Sequence, residues 1–382
     1  MQGHIRERGK DAWEVSYELS FDPKTGRRRR RSVTVHGTRK EAQRALTAAL
    51  HQRDTGFEIL PGRMNVSQFL QRWLSGYAEI NVAASTLARY RIAVNKHLIP
   101  HMGTLQLTAV RPVHIQQLQS LCLKEGLSPR TVVQHHRIIA EALKHAVRWQ
   151  LIPSNPAAAI SPPRFEARDM QFLSQAQLHE LLTAAQGSFL RTLIYLAVHT
   201  GARSGELLAI RWADVDLHTG RLSIVRTAQR IPGEGIVFSS PKTHRSRRPV
   251  TLSAEAVGLL REHRAMQNTH RLALGPAFED HDLVFCQPTG RPYEPGQISR
   301  AFGRLIRSTQ LPEVRFHDLR HTAASLLLAA GVHPKVVSER LGHASVQITM
   351  DTYSHILPNL QREAADAMDQ ILGSGRIHAA ST

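Results

Sequence analysis

Four residues near the end of the 382-residue chain have side chains suited to phosphoryl transfer. His317 and Arg320 are three positions apart, so on a helix they project from one face and can reach a single anion. His343 follows, and Tyr353 lies 36 residues after His317. A guanidinium binds phosphate oxygens as a two-pronged donor, an imidazole can carry a proton, and a phenol can attack phosphorus. The segment, whose apolar periodicity is typical of three successive helices, therefore predicts phosphoryl transfer with tyrosine as the nucleophile.

Each of these residues also has an ordinary structural interpretation. A single tyrosine is more often a core residue with a hydrogen-bonded hydroxyl, and Arg203, farther upstream, could simply pair with Glu206. His317 and His321 are four residues apart and could bind a metal, but no third ligand or HExxH pattern accompanies them. The catalytic interpretation depends on the whole set and on its order along the chain.

An ordered set of motifs resembles the tyrosine recombinases, the phage integrase family. The motifs are Thr200-Gly201-Ala202-Arg203-Ser204-Gly205-Glu206-Leu207, His317-x-x-Arg320, Leu341-Gly342-His343 and Tyr353. The resemblance is detailed from Ser174 to Leu372, and the upstream part matches the integrase branch in outline. It implies a site-specific DNA recombinase that cleaves and rejoins strands and so integrates or excises a mobile element.

The resemblance implies roles for these residues around a scissile phosphate. Arg203 and Arg320 would donate to the non-bridging oxygens, where charge accumulates in the transition state. Tyr353 would form a 3′-phosphotyrosyl link and leave a free 5′-hydroxyl. An unperturbed tyrosine has a pKa of about 10, so it needs a proton acceptor at neutral pH, and His317 is the candidate. His343 would support the phosphate by a hydrogen bond.

A lysine on a predicted hairpin completes the implied catalytic set. Lys242 matches the family's general acid for the 5′-oxygen, although Arg245 or Arg247 on the same hairpin could be confused with it. Glu206 is expected to orient Arg203 or a histidine. The sequence has no Walker A motif and no paired-carboxylate metal site, and two arginines can neutralise the charge that a metal otherwise would. No cofactor, neither ATP nor a divalent cation, is therefore expected.

The charge balance points to a polyanionic partner. Lys and Arg number 49 against 31 Asp and Glu, a net charge of +18. Residues 61–165 carry 12 basic and 3 acidic side chains, or 12 − 3 = +9, which makes them the strongest candidates to face double-stranded DNA. With two cysteines, Cys122 and Cys286, neither a disulfide framework nor a Cys-based metal site is predicted. No signal peptide or membrane-spanning run is read, so a cytoplasmic protein associated with the bacterial nucleoid is expected.

The expected fold is multidomain and mainly helical with small β-sheets. Residues 1–58 are predicted to form a three-stranded sheet plus a helix that begins at Thr38, similar to the arm-site DNA-binding domain of integrases. Residues 63–155 are predicted to form a four-helix, SAM-like core-binding domain. Its helices are expected at about 66–77, 84–98, 111–125 and 129–150, the last with Ser128 as N-cap and Pro129 at the first helical position. A proline-containing linker spans residues 156–172, and a mixed α/β catalytic domain with a C-terminal helix spans 173–382.

Two groups of basic residues are candidate DNA contacts. The first follows the predicted N-terminal turn and consists of Arg27, Arg28, Arg29, Arg30 and Arg31. The second is interleaved with apolar residues in the helical domain and consists of Arg89, Arg91, Lys96, Arg130, Arg137 and Lys144. The ordinary alternatives are a solvated charge run and a bundle with solvated basic residues.

The residues indicate the chemistry, whereas the oligomeric state, the accessory proteins and the product of the reaction are expected from the resemblance or stay open. The resemblance implies a homo-tetramer on paired DNA sites, and an accessory directionality or DNA-bending factor is an open expectation. The C-terminal helix could pack on its own domain or on a neighbouring protomer. Two other functions are compatible with part of these observations. A type IB topoisomerase-like enzyme that nicks and relaxes DNA would use the same chemistry, and a DNA-binding regulator without catalysis would use only the basic domains.

Overall fold

The computed structural model describes residues 3–9, 11–21, 28–54, 64–166, 170–241, 246–353 and 360–373. The chain divides into two compact units, Met1–Glu166 and Ala167–Thr382. The architecture is mainly helical with small antiparallel sheets, as the sequence predicts. The finer division into arm, core-binding, linker and catalytic segments stays a prediction.

A three-stranded antiparallel sheet and one helix begin the first unit. The strands are β1 (His4–Gly9), β2 (Ala12–Phe21) and β3 (Arg28–His36), with β2 in the centre, and α1 spans Arg39–Asp54. Val15, Tyr17, Ala42 and Leu46 form a small core between β2 and α1. The predicted cap is present: the Thr38 N–H donates to the Glu41 carboxylate at 2.7 Å, and the Glu41 N–H donates to Thr38 Oγ1 at 3.4 Å. The turn predicted at residues 22–26 lies outside the described residues.

The rest of the first unit is helical. Its α-helices are α2 (Val66–Trp73), α3 (Glu79–Asn81), α4 (Ala84–Ala93), α5 (Ile99–Met102), α6 (Pro112–Lys124) and α7 (Pro129–Arg148). The Ser128 side chain caps α7 by accepting from the Thr131 N–H at 3.2 Å, and Pro129 occupies the first turn, as the sequence predicts. One apolar core joins α2, α4, α6 and α7, with Phe69 and Trp73 fully buried.

Two π-helical turns interrupt the first two predicted helices of this bundle. They span Leu74–Ala78, between α2 and α3, and Val94–Leu98, between α4 and α5. In the second turn, the Ile99 N–H donates to the Val94 carbonyl, five residues back. Pro100 follows and has no N–H to continue the regular ladder, which accounts for the change of pattern. Hydrophobic periodicity alone does not predict such turns.

The second unit contains nine α-helices among the residues the structure describes. They are α8 (Gln175–Ala184), α9 (Leu190–Thr200), α10 (Ser204–Leu207), α11 (Ala254–Leu274), α12 (Pro295–Arg307), α13 (Asp318–Ala329), α14 (Pro334–Leu341), α15 (Val346–Tyr353) and α16 (Leu360–Gly373). The three helices predicted around the catalytic motifs are thus α13, α14 and α15. No helix in the described part of either unit is long and apolar enough to cross a membrane.

Two small sheets lie between α10 and α11. Strands β4 (Val215–Asp216), β5 (Arg221–Ile224) and β8 (Arg248–Thr251) form one sheet, and β6 (Thr227–Ile231) pairs with β7 (Gly235–Ser239) in a separate hairpin. The sequence predicts β5, β7 and β8 but misses β6, which lies in a polar stretch with little alternation. The predicted hairpin tip at residues 241–246 is outside the described residues from 242 to 245.

The second unit has two separate hydrophobic cores among its described residues. The main core packs α9 and α12 with the sheet, and Phe302 and Leu193 are nearly fully buried in it. A second core between α13, α14 and α15 contains Ala324, Leu328, Val337, Leu341 and Tyr353. The predicted nucleophile is therefore also a core residue.

Gly201 ends α9 in a backbone conformation that other residues adopt with strain. Its φ is 61°, in the left-handed region. A Cβ added there would lie 2.3 Å from Leu341 Cδ2. Glycine thus permits both the turn into α10 and the approach of α14.

Replacing Gly201 by alanine should destabilise the second unit by about 2–4 kcal/mol, since it combines left-handed strain with overpacking. The matched control is Gly187→Ala: φ is 71° there, but no described atom lies within 4 Å of the added Cβ. That change should cost about 1 kcal/mol. Urea unfolding of the two variants measures the difference, and equal costs would contradict the clash with Leu341.

Candidate active site

One open cavity of about 860 Å³ in the second unit collects most of the predicted catalytic residues. The predicted residues that line it are Arg203, Glu206, His317, Arg320, His343 and Tyr353. They come from the start of α10, from the start of α13, from the residue pair after α14 and from the end of α15. Segments that are distant in the chain thus supply one site.

Arg320 is the buried centre of this cavity wall. Its Nη1 donates to the Gly201 carbonyl and to the Leu341 carbonyl, both at 2.7 Å, and the residue is 4% exposed. Its Nη2 is buried without a hydrogen-bond partner among the described residues. Burial and the nearby guanidinium of Arg203 lower the pKa of Arg320 to about 9, so it is still a cation at neutral pH. A buried cation with a free donor is suited to an anionic ligand.

Glu206 binds two more guanidiniums: that of Arg203, which lines the cavity, and that of Arg248, which does not. Its Oε1 accepts from Arg203 Nη1 at 2.8 Å, and its Oε2 accepts from Arg248 Nη2 at 3.2 Å and from the Arg203 backbone N–H at 3.1 Å. Burial opposes ionisation of Glu206, but Arg248 and Arg203 hold the pKa of its carboxyl below the ordinary value. The predicted positioning of Arg203 by Glu206 agrees with this contact.

Tyr353 contacts a different histidine from the one the sequence indicates as proton acceptor. Its hydroxyl lies 2.7 Å from His321 Nδ1, and the residue is 2% exposed. His317 lies on the same cavity wall, with its ring centroid 5.7 Å from that of His321. Burial raises the pKa of Tyr353 to about 12, and the charge of Arg320 opposes this only in part, so the phenol is protonated at neutral pH.

The three histidines of the cavity are uncharged at neutral pH. Burial and the guanidinium of Arg320 lower the pKa of His317, and burial with His317 lowers the pKa of His321. Burial and then Arg320 lower the pKa of His343 to about 4. His343 Nδ1 is 2.8 Å from Thr349 Oγ1 on α15, which leaves Nε2 for a ligand. Neutral imidazoles can accept protons or hydrogen bonds from a reacting group.

Comparison with known proteins agrees with this arrangement. Residues 171–359 match the model of the phage integrase family, and residues 65–121 match that of the phage integrase N-terminal SAM-like domain. The ICEBs1 integrase of Bacillus subtilis is 27% identical over 365 residues, which are 94% of this chain and 97% of the relative. The chain belongs to the phage integrase family. It is a tyrosine recombinase, as the motifs indicate.

Two solved structures share the fold of this recombinase. The Tn1549 transposon integrase in complex with transposon right end DNA has a TM-score of 0.67 and 20% identity, covering 81% of this chain and 100% of that one. A lambda integrase tetramer bound to a Holliday junction has a TM-score of 0.57 and 21% identity, covering 90% and 96%. At these identities the likeness concerns the fold.

Several predicted site residues lie outside the described part of the chain. Lys242 is one of them, although Pro241, directly before it, lines the cavity. Arg27 and the side chains of Arg28, Arg29 and Arg31 are also outside what is described. The assignments of these residues stay predictions.

The other candidate DNA contacts are on the surface of the first unit. Arg30 is exposed, and its Nη2 donates to Ser16 Oγ at 2.9 Å. The candidates of the helical bundle are all exposed: Arg89, Arg91, Lys96, Arg130, Arg137 and Lys144. Arg91 is ion-paired with Glu79, and Lys144 lies 3.7 Å from Glu141. A buried apolar core lies behind these exposed positions, so the predicted two-faced helices are present, whereas contact with DNA stays a prediction.

Sequence reasoning missed three residues that shape the site. Arg248 shares Glu206 with Arg203, and the alternation of β8 is a usable signal, because Arg248 and Val250 point to one buried face. His321 has the spacing of a metal pair with His317, yet the same i, i+4 spacing also places it on the cavity side. Arg340 donates from Nε to the His199 carbonyl at 2.9 Å and so ties α14 to α9; nothing in its spacing indicates this.

The low pKa of His343 predicts a specific pH dependence of stability. Above pH 6.5 the residue is neutral in both states. As the pH falls from 6.5 to about 4, the unfolded chain takes up a proton that the folded site does not, so the free energy of unfolding decreases. His343→Gln removes this contribution. Relative to wild type, the variant should therefore gain stability steadily between pH 6.5 and 4, as measured by urea unfolding.

The control is His270→Gln, a change of an exposed histidine on α11. This variant shows how far the replacement of an exposed histidine outside the cavity changes the unfolding measurement by itself. A His343→Gln difference that is equal at neutral pH and at pH 4 would show that this imidazole titrates normally.

Proposed function

We propose that this tyrosine recombinase integrates or excises a mobile element by cleaving and rejoining DNA strands through a 3′-phosphotyrosyl intermediate. The observation that supports this most is the common cavity shared by Arg203, Arg320, His343 and Tyr353. It combines a nucleophile with cationic donors for a phosphodiester. Because the covalent link between the tyrosine and the DNA keeps the energy of the broken phosphodiester bond, the strands can be rejoined without an external energy source.

The cleavage step conserves the phosphodiester's bond energy. The Tyr353 oxygen bonds to phosphorus as the bond from phosphorus to the 5′-oxygen breaks. Arg203, Arg320 and His343 donate to the non-bridging oxygens as charge develops there. The 5′-oxygen leaves with a proton from Lys242. In the reverse direction, a 5′-hydroxyl of another strand attacks phosphorus and releases Tyr353.

The phenol proton passes to a histidine of the cavity. The family resemblance supports His317 in this role, whereas the 2.7 Å contact with the hydroxyl supports His321. Both have pKa values lowered from the ordinary value, so both are free to accept a proton at neutral pH. We assign His321 the orientation of the resting phenol and His317 the acceptance of the proton. Glu206 positions Arg203 and Arg248 and does not contact the phosphate.

The charges in the cavity support catalysis without a cofactor. Among the described residues that line it, Arg203, Arg230 and Arg320 are cationic and Glu206 alone is acidic. Electrostatic stabilisation of the kind a divalent metal supplies elsewhere can thus come from side chains of this chain.

Assembly on DNA is the remaining part of the proposal. The recombinase acts as a tetramer on two paired DNA sites at the nucleoid. The exposed basic residues of the first unit contact the DNA backbone. An accessory factor that bends DNA or sets the direction of the reaction is compatible with this assembly. Met368, Ile371 and Leu372 of α16 are 50–68% exposed, which supports docking of this helix on a neighbouring protomer. A lambda integrase with the same fold is a tetramer on a Holliday junction.

Tyr353→Phe should abolish covalent capture of a nicked suicide DNA site while binding to that site is retained. The matched control is Tyr293→Phe in the same unit, since burial also raises the pKa of Tyr293 to about 12 but the ring lies outside the cavity. Denaturing electrophoresis of the reaction detects the covalent adduct. An adduct formed by Tyr353→Phe would remove this residue from the role of nucleophile.

Lys242→Ala should cleave an ordinary site slowly but regain the wild-type rate on DNA with sulfur in place of the scissile 5′-oxygen. A thiolate leaves without protonation, so the general acid becomes unnecessary. Arg245→Ala and Arg247→Ala serve as controls that keep the lysine. If the sulfur-containing DNA restored the cleavage rate of Arg245→Ala or Arg247→Ala, and not that of Lys242→Ala, the general acid would be that arginine and not Lys242.

A further inference from the structure

Two histidines and a cysteine meet inside the helical part of the first unit, whereas the catalytic cavity belongs to the second unit. One ring nitrogen of His97, one of His135 and the Sγ of Cys122 all lie within 4.8 Å of one another. Cys122 is fully buried and His135 is 6% exposed. Their separations in sequence are 25 and 13 residues, so no ligand spacing is readable from the chain.

The two rings lack the partners that buried histidines normally have. Nδ1 of His97 and Nδ1 of His135 are both buried, and neither forms a hydrogen bond within the part of the chain that the structure describes. The rings stack with centroids 4.6 Å apart. Polar atoms in a core are almost always satisfied, so two neighbouring exceptions beside a thiol require an explanation.

The backbone is also irregular at this place. His97 lies in the π-helical turn Val94–Leu98, whereas Cys122 is on α6 and His135 is on α7. A π turn inserts one residue into a helix, which changes the direction of the side chains it carries, and such turns are frequent at ligand sites. Three separate helical segments thus direct ligand-type atoms to one point.

We propose that His97, Cys122 and His135 bind one thiophilic metal ion of the Zn²⁺ class, which links the three helical segments. Zinc bonds nitrogen at about 2.0–2.1 Å and thiolate at about 2.3 Å, so ligand atoms around it stand about 3.3–3.6 Å apart. Side-chain rotation closes the remaining gap. An imidazole and thiolate set excludes magnesium and calcium, which take oxygen ligands, and suits Zn²⁺ or Cu(I).

The site is structural and independent of strand cleavage. It would act on the bundle that presents Lys96 and Arg137, each close in sequence to a ligand, and so would fix the backbone of two candidate DNA contacts. A metal that binds the folded bundle and not the unfolded chain raises its melting temperature.

The untagged full-length chain, stripped with a chelator, is titrated with Co²⁺ as a spectroscopic substitute. We expect one equivalent to bind with the near-ultraviolet charge-transfer band of a cobalt–thiolate bond, and Zn²⁺ to remove the band. Cys122→Ala should lose the band, and the control Cys286→Ala, which changes the other cysteine, should keep it. His97→Asn, at a half-buried position where misfolding is less of a risk, should lose or shift it.

The same proteins give a second, independent measurement. Zn²⁺ at a hundredfold excess over its Kd should raise the melting temperature of the first unit by roughly 10 °C in wild type and Cys286→Ala, and not in Cys122→Ala. Competition with Cu(I) decides which ion the site prefers. The absence of a cobalt–thiolate band in wild type, or its persistence in Cys122→Ala, would overturn the proposal.

Discussion

The buried guanidinium of Arg320 is the interaction on which the site depends. It donates to carbonyls of Gly201 and Leu341, which belong to motifs 119 and 21 residues away from it. Burying a guanidinium without such acceptors is costly, so these hydrogen bonds tie the ends of α9 and α14 to α13. The same group keeps Nη2 without a hydrogen-bond partner among the described residues, so the residue that joins these helices can also receive an anionic ligand.

Glu206 extends this arrangement by keeping further cations beside Arg320. Arg203 and Arg248 share its carboxylate, so two guanidiniums are held near the first despite mutual repulsion. Because three guanidiniums, those of Arg203, Arg248 and Arg320, surround one carboxylate, this cluster has a net positive charge. An anion bound beside Arg203 and Arg320 would lower the repulsion among them.

The sequence predicts the parts of this molecule whose signals are local. Caps such as Thr38 and Ser128, the α13–α15 run and the order of motifs are readable from spacing and residue type. The role of Arg248 is not, because it arises from a contact with Glu206, 42 residues away. The π turn at Val94–Leu98 is also missed, because hydrophobic periodicity does not distinguish it from a regular helical turn. The sequence indicates His317 as the partner of the Tyr353 hydroxyl, whereas the structure shows a contact with His321, one helical turn later. Spacing alone does not separate the two, because residues three or four apart lie on the same helix face.

Tyr353 belongs to the small core between α13, α14 and α15 and is at the same time the proposed nucleophile. Its ring would leave a hole if it swung outward, and removing an aromatic ring from a core costs about 3–5 kcal/mol. Packing alone therefore discourages premature attack on DNA that the protein meets by chance. With Tyr353 as the proposed nucleophile, outward movement of the phenol would require binding to DNA or to a neighbouring subunit to offset that loss, and the packing would limit cleavage elsewhere in the genome.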